Sequence, residues 1–267
     1  MLILLSPAKT LDFETPTRTA TATQPVFLDE AAALARSAQR LSAPKLRELM
    51  KLSESLATLN RDRFRAWQPD HSGDDVRPAV QAFRGDVYVG LDADTLDDAD
   101  LAFAQDHLRI LSGLYGVLKP LDMMRAYRLE MGTRLSTRRG KTLYDFWGDR
   151  VAQALDAESE AMGGAPVVNL ASNEYFGVVQ KPGLSSPVVS PVFRDEKNGE
   201  YKIISFFAKR ARGALARYLV TERATSLDAL EGFKGLGYRY SKRDSTPDSP
   251  VYRRSEKAAR PYLANAA

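Results

Sequence analysis

The chain opens on five consecutive apolar residues, Met1 to Leu5 (MLILL), which stop at Ser6-Pro7. A continuous apolar run of that length ended by a turn is a buried strand, and it commits the fold to a sheet with a covered face. No positive segment precedes it and no small-residue cleavage site follows, so it is read as a strand and not as a leader. No apolar stretch approaches the ~20 residues of a membrane span, so a cytoplasmic protein with no membrane partner is expected.

Residues 10–25 are rich in Thr and Pro and read as an irregular excursion. The period then turns helical over residues 28–41, with Asp29 and Glu30 in the first turn, and Ser42 stands where it caps a second helix through SAPKLRELMKLSESLATLN. A short helix is expected over residues 59–67, and another starts over 77–83. The acidic segment 90–100 reads as loop, with Asp98 or Asp100 capping a helix LAFAQDHLRILSGL that stops near Gly113. Residues 115–127 read as helical or turn-rich, YRLEMG as a strand and KTLYDFWGDRVAQALDA as a helix.

Apolar runs at 166–170, 187–193 and 201–207 are strand candidates, followed by a basic amphipathic helix, AKRARGALARYLVTERA. LDALEGF gives a short helix, and GLGYRYSKRDSTPDSPVYRRS two strands joined by a polar turn. No repeat or linker divides the 267 residues. The expected fold is α+β (mixed α/β): a single domain over residues 1–267 with a central mixed β-sheet flanked by helices.

The absence of cysteine excludes disulfides, thiolate metal sites and thiol peroxide chemistry, each of which needs the sulfur. His71 and His107 lie far apart and in no metal-ligand spacing. Neither a metal nor a cofactor is therefore expected. Net charge is only +4, but it is segregated: residues 86–106 carry seven aspartates and no lysine or arginine, whereas 125–141 carry six basic residues against Glu130 alone. Residues 194–217 add seven basic residues against three acidic ones. Basic segments that converge make a surface suited to phosphates.

Five stretches carry candidate chemistry. The SPAKT turn puts Lys9 and two hydroxyls at a strand end: either an oxyanion is held there or it is only a capped strand-to-loop turn, and it lacks the glycine spacing of a P-loop. In LSGLYGVL, Ser112, Gly113, Tyr115 and Gly116 have the general form of a helix-hairpin-helix that offers N–H groups to DNA phosphates. The alternative is a helix C-terminal glycine, Gly113, beside a tight packing glycine, Gly116. In YRLEMGTR, Arg128 and Glu130 share a face near Arg134: either a structural ion pair or a carboxylate among guanidinium groups acting as general base. Asn169 and Ser172 follow an apolar strand, at its polar end or as a helix cap. Lys209, Arg210 and Arg212 open a helix where positive charge opposes the macrodipole, a placement that an anion would relieve.

Several of these stretches, MLILLSPAKTLDFETP, FRGDVYVGLDADTL, LRILSGLYGVLKPLDMMRAYRLEMG, LYDFWGDRV, VVNLASNEYF and PVFRDEKNGEYKIISFFAKRARGALARYL, together resemble the YaaA family of bacterial peroxide-stress proteins, colinearly from Met1 to about Arg253. The resemblance implies a cytoplasmic protein that protects cells under hydrogen peroxide by limiting unincorporated iron. It also implies DNA binding through a positively charged cleft and a helix-hairpin-helix-like element. The chain departs from the usual pattern in lacking a proline before Tyr127 and a lysine after Phe176, for which Lys181 is a substitute.

Two functions follow. The first is binding of double-stranded DNA, distorted or damaged duplex included, through phosphates held by the residues named above. The second is an enzyme acting on a nucleotide, nucleoside or DNA base, with Glu130 as general base and Lys9, Arg128 and Arg212 on the phosphate. A pure phosphate binder gains nothing from a carboxylate in its site, which is what keeps the second reading open.

Overall fold

In the computed structural model, which describes residues 1–17 and 21–263, the MLILL run is strand Leu2–Leu5, with every residue fully covered. It occupies the centre of a five-stranded sheet. Strand Leu108–Ser112 runs parallel on one side, and on the other lie parallel strands Val167–Asn169 and then Val188–Val189. Strand Gly116–Leu118 completes the sheet, antiparallel to Leu108–Ser112. Burial on both faces explains why the central strand shows no polar alternation.

A second, four-stranded sheet pairs Val192–Lys197 in parallel with Val251–Arg254, flanked by Glu200–Lys202 and Arg239–Tyr240. Its inner face is aromatic. Phe193 stacks on Tyr252 with ring centroids 5.1 Å apart, and Phe233 and Tyr238 meet Phe193 edge-on. One hydrophobic core nevertheless runs from Met1 to Tyr252 and joins both sheets to the helices.

The long helix Ser205–Thr221 lies between them and packs closely on the short helix Asp86–Leu91. Two glycines permit that approach: a Cβ at Gly213 would fall 1.7 Å from the Val87 carbonyl oxygen, and one at Gly90 2.1 Å from that of Arg210. Only hydrogen fits at either position. The contact fixes the basic end of the long helix beside the chain at Arg84-Gly85-Asp86.

Several expectations need correction. The helix expected to run to Gly113 ends at His107; its cap is Asp97, whose carboxylate accepts the Asp100 N–H at 2.7 Å. The next five residues, Leu108–Ser112, are strand, because pairing with Leu2–Leu5 buries their side chains. Residues 113–115 are therefore the turn of a β-hairpin, and no helix-hairpin-helix exists there. YRLEMG is not a strand and pairs with none among the described residues. The helix expected after Ser42 is two, Ala43–Met50 and Glu54–Ala66, broken where Lys51 turns left-handed (φ 52°) and Ser53 caps the second. Residues 76–82 form strand Val76–Pro78 and helix Ala79–Ala82, and Gly148 (φ 56°) divides helix Leu143–Trp147 from Arg150–Ala161. The loop expected from Gly90 begins inside helix Asp86–Leu91, and the strand expected over 201–207 gives way to the long helix at Ser205.

Candidate functional site

Chain order and strand order reverse between Leu2–Leu5 and Val167–Asn169: from the first strand the chain crosses to one neighbour, Leu108–Ser112, and later returns to the other side. In α/β sheets the crevice beyond the carboxyl ends at such a reversal is where ligands bind. Here the two ends are tied together. The Ser172 N–H donates to Ser6 Oγ at 2.8 Å, and Ser6 Oγ donates to Ser172 Oγ at 3.3 Å. Ser172 stands at the cap position of helix Asn173–Gln180, but its side chain does not cap it.

A cleft of about 530 Å³ opens at this point. It brings together Lys9, Glu130, Ser172, Lys209 and Arg212 of the expected residues, and adds Glu174 from the polar cluster beside Ser172 together with Arg84, Asp86 and Tyr175, which sequence reasoning missed. The signal for Arg84 and Asp86 was present in FRGD, where Gly85 takes φ 144° and turns strand Phe83–Arg84 into helix Asp86–Leu91. Helix Asn173–Gln180 brings Glu174 and Tyr175 to the rim in its first turn.

Charge in the cleft is mixed. Its lining holds four cations, Lys9, Arg84, Lys209 and Arg212, against three carboxylates, Asp86, Glu130 and Glu174. Arg84 is occupied by Asp12 at 3.1 Å and Asp94 at 3.0 Å. Lys9, two-thirds exposed, reaches Glu130 Oε1 at 3.4 Å, and the same oxygen accepts from Arg128 Nε at 3.0 Å. Glu130 Oε2 is buried and takes no hydrogen bond from any described residue.

Lys209 and Arg212 remain. Neither has a carboxylate or acceptor partner among the described residues. Burial pushes the Arg212 guanidinium below the ordinary arginine range, although a guanidinium stays charged throughout the range of protein chemistry. A half-buried, unpaired cation is costly to hold, and an anionic group entering the cleft would offset that cost. Burial raises the Tyr175 hydroxyl well above the usual phenol range, so Tyr175 offers a neutral hydroxyl at the wall.

The other expected residues lie elsewhere. Ser112, Gly113, Tyr115 and Gly116 are buried completely or nearly so and cannot meet a DNA backbone where they stand. Gly113 is needed because a Cβ would lie 2.1 Å from the Leu129 carbonyl oxygen, and Gly116 (φ 70°) because the Trp147 ring covers it. Asn169 Oδ1 accepts the Ala171 N–H at 3.0 Å and its amide donates to Ser190 Oγ at 3.3 Å, a role in holding the strand end. Arg128 lies behind Glu130 in a side niche, Arg134 is exposed beyond the cleft, and the Arg210 backbone packs on Gly90.

Among the described residues no three His, Asp or Glu side chains are grouped to hold a metal, and no helix is long and apolar enough to cross a membrane. The family model for peroxide stress protein YaaA matches residues 1–244, a span that contains every residue of the cleft. The chain therefore belongs to the YaaA family of peroxide-stress proteins.

Proposed function

We propose that the protein serves the peroxide-stress response by binding DNA through its phosphates, with one nucleotide of the bound strand seated in the cleft. The observation that carries this reading is the pair Lys209 and Arg212, two unpaired cations on one helix facing the same cleft as Asp86 and Glu130. They would hold a phosphate, and the carboxylates would take amino or hydroxyl donors of the sugar or base. A volume of about 530 Å³ suits one nucleotide and is too small for a duplex. Distorted or damaged DNA, from which a nucleotide leaves the stack at low cost, is then the favoured partner. Limitation of free iron would follow from that binding, as a downstream effect.

The test is DNA affinity against salt concentration. Lys209→Ala with Arg212→Ala removes two phosphate partners and lowers the salt slope by about 2 on a duplex. Unchanged affinity and slope would remove the cleft from DNA binding.

The unpartnered Glu130 Oε2 favours a second reading, in which the cleft takes a free nucleotide or nucleoside and Glu130 acts on it as general base. A nucleoside monophosphate would then raise the melting temperature in the absence of DNA. Under this reading Glu130→Gln abolishes protection against peroxide while leaving DNA affinity intact.

A further inference from the structure

A second group of cations lies outside the cleft. A groove of about 710 Å³ separates helix Leu28–Gln39 from the turn Thr137-Arg138-Arg139-Gly140, and Arg36, Arg40, Arg138 and Arg139 all line it, with Phe146 on its wall. Arg36, Arg40 and Arg138 are exposed and have no carboxylate or acceptor partner among the described residues. Arg139 lies over the Phe146 ring, 4.9 Å from its centroid. Its carboxylate partner is Glu30 at 3.7 Å, which Arg150 shares at 3.9 Å.

The turn that presents two of these arginines is held firmly. Thr137 N–H donates to the Gly140 carbonyl at 2.8 Å, and Arg139 N–H donates to Thr137 Oγ1 at 3.1 Å. Gly140 (φ 151°) backs onto Asp145, where an added Cβ would lie 2.2 Å from the Asp145 Cβ. Asp145 in turn accepts the N–H groups of Lys141 and Thr142 and completes a capping box with Thr142. The macrodipole of helix Leu28–Gln39 favours basic residues at its C-terminal end, which accounts for Arg36 and Arg40. It gives no reason to aim Arg138 and Arg139 at them, since like charges repel. Phosphate does, because a guanidinium binds phosphate oxygens through a planar pair of N–H donors.

We propose that this groove is a second phosphate site, holding the backbone of a nucleic-acid strand of which another nucleotide, a few positions along, occupies the cleft. Its register rests on the nucleotide reading of the cleft; its phosphate chemistry does not. The two sites lie along one loop. Gly132 N–H donates to the cleft residue Glu174 at 2.9 Å, and Arg138 follows six positions later, at most about 20 Å along the chain. Exposed Arg134 stands between them. Phosphates of one B-DNA strand advance about 3.4 Å along the axis, so no more than about six would span the interval.

The experiment compares the wild type, the groove variant Arg36→Ala/Arg40→Ala/Arg138→Ala, and the cleft variant Lys209→Ala/Arg212→Ala. Each is titrated with an oligonucleotide of about 20 residues, single-stranded and duplex, between about 50 and 200 mM salt. A dinucleotide, too short to reach both sites, and inorganic phosphate serve as competitors. The groove variant is expected to keep its melting temperature, because the three side chains are exposed, and to lose about 2 to 3 from the salt slope. Unchanged slope and affinity in the groove variant overturn the groove and leave the cleft reading intact. Loss in the groove variant with none in the cleft variant supports the groove and sinks the cleft. Displacement of the strand by inorganic phosphate as effectively as by a second oligonucleotide would mean a site for free phosphate, and would overturn a strand-binding groove.

Discussion

Arg128 places both Nε and Nη2 at 3.0 Å from Glu130 Oε1, so the guanidinium grips one carboxylate oxygen and leaves the other, Oε2, buried without a donor among the described residues. Lys9 reaches the gripped oxygen from the cleft side. Glu130 thus meets two cations through one oxygen, and its charge matters more than its shape. Glu130→Gln is expected to lower stability by about 1–3 kcal/mol, because Arg128 loses its ionic partner while remaining largely buried. DNA affinity should rise or stay constant, since one negative charge leaves the cleft. Thermal unfolding together with oligonucleotide binding checks both; loss of affinity with the fold intact would show that Glu130 positions the phosphate ligands.

Tyr115, expected on DNA, is instead the hub of a buried network. His71 Nδ1 lies 2.9 Å from the Pro69 carbonyl and must donate to it, so Nε2 accepts from the Tyr115 hydroxyl at 2.9 Å. That hydroxyl also accepts from Trp67 Nε1 at 3.0 Å and from the Arg125 N–H at 3.1 Å. A second proton on His71 would find no acceptor there. Burial, the largest cause, likewise pushes the imidazole below its ordinary value. A lowered folded pKa means that the unfolded chain binds the proton more readily. The contribution of His71 is therefore whole above about pH 6.5 and is lost as pH falls below it. Tyr115→Phe should cost about 1–3 kcal/mol at pH 7.5 by orphaning three buried groups, and denaturant unfolding across pH 5–8 should show the wild-type stability falling on the acid side. A pH-independent midpoint would refute the assignment.

Gly116 separates the hairpin from a DNA-binding loop. Its φ of 70° is left-handed, and an added Cβ would lie 2.8 Å from the Trp147 ring, which is itself fully buried. Gly116→Ala should destabilise by about 1–3 kcal/mol through overpacking and backbone strain, and the folded fraction should bind DNA with the affinity and salt slope of the wild type. A selective loss of DNA affinity with an unchanged melting temperature would return this turn to the binding surface.

What the sequence revealed was local. The apolar run ending in Ser6 and the strand ending before Ser172 carry their own boundaries, and the spacing of AKRARGALARYL is helical without help from distant residues. Leu108–Ser112 reads as helix in the sequence because LRIL continues the helical period of the residues before it. Its strand form comes from Leu2–Leu5, over a hundred positions away, and buried Arg109 is tolerated because Glu158 accepts it at 2.6 Å and the Gln105, Asp106 and Leu108 carbonyls take its other N–H groups. The groove was illegible for the same reason: Arg36 and Arg40 are separated by about a hundred residues from Arg138 and Arg139, and nothing in either segment points to the other.

The contact between the long helix and Asp86–Leu91 sets both stability and binding. Gly213 faces the Val87 carbonyl so closely that an added methyl, 1.7 Å from the oxygen, cannot be relieved by any side-chain rotation; the helix must lift. Gly213→Ala is expected to cost about 3 kcal/mol, at the upper end for overpacked cores, which lowers the melting temperature of a chain this size by about 6–12 °C. Arg212 is the adjacent residue and Lys209 lies one helical turn before Gly213, so lifting the helix also moves both away from Asp86 and Glu130. At a temperature where the variant is folded, its oligonucleotide affinity should therefore fall, whereas Gly116→Ala, equally buried but remote from these cations, should bind normally. Equal affinities in the two variants would mean that the placement of the long helix does not govern binding.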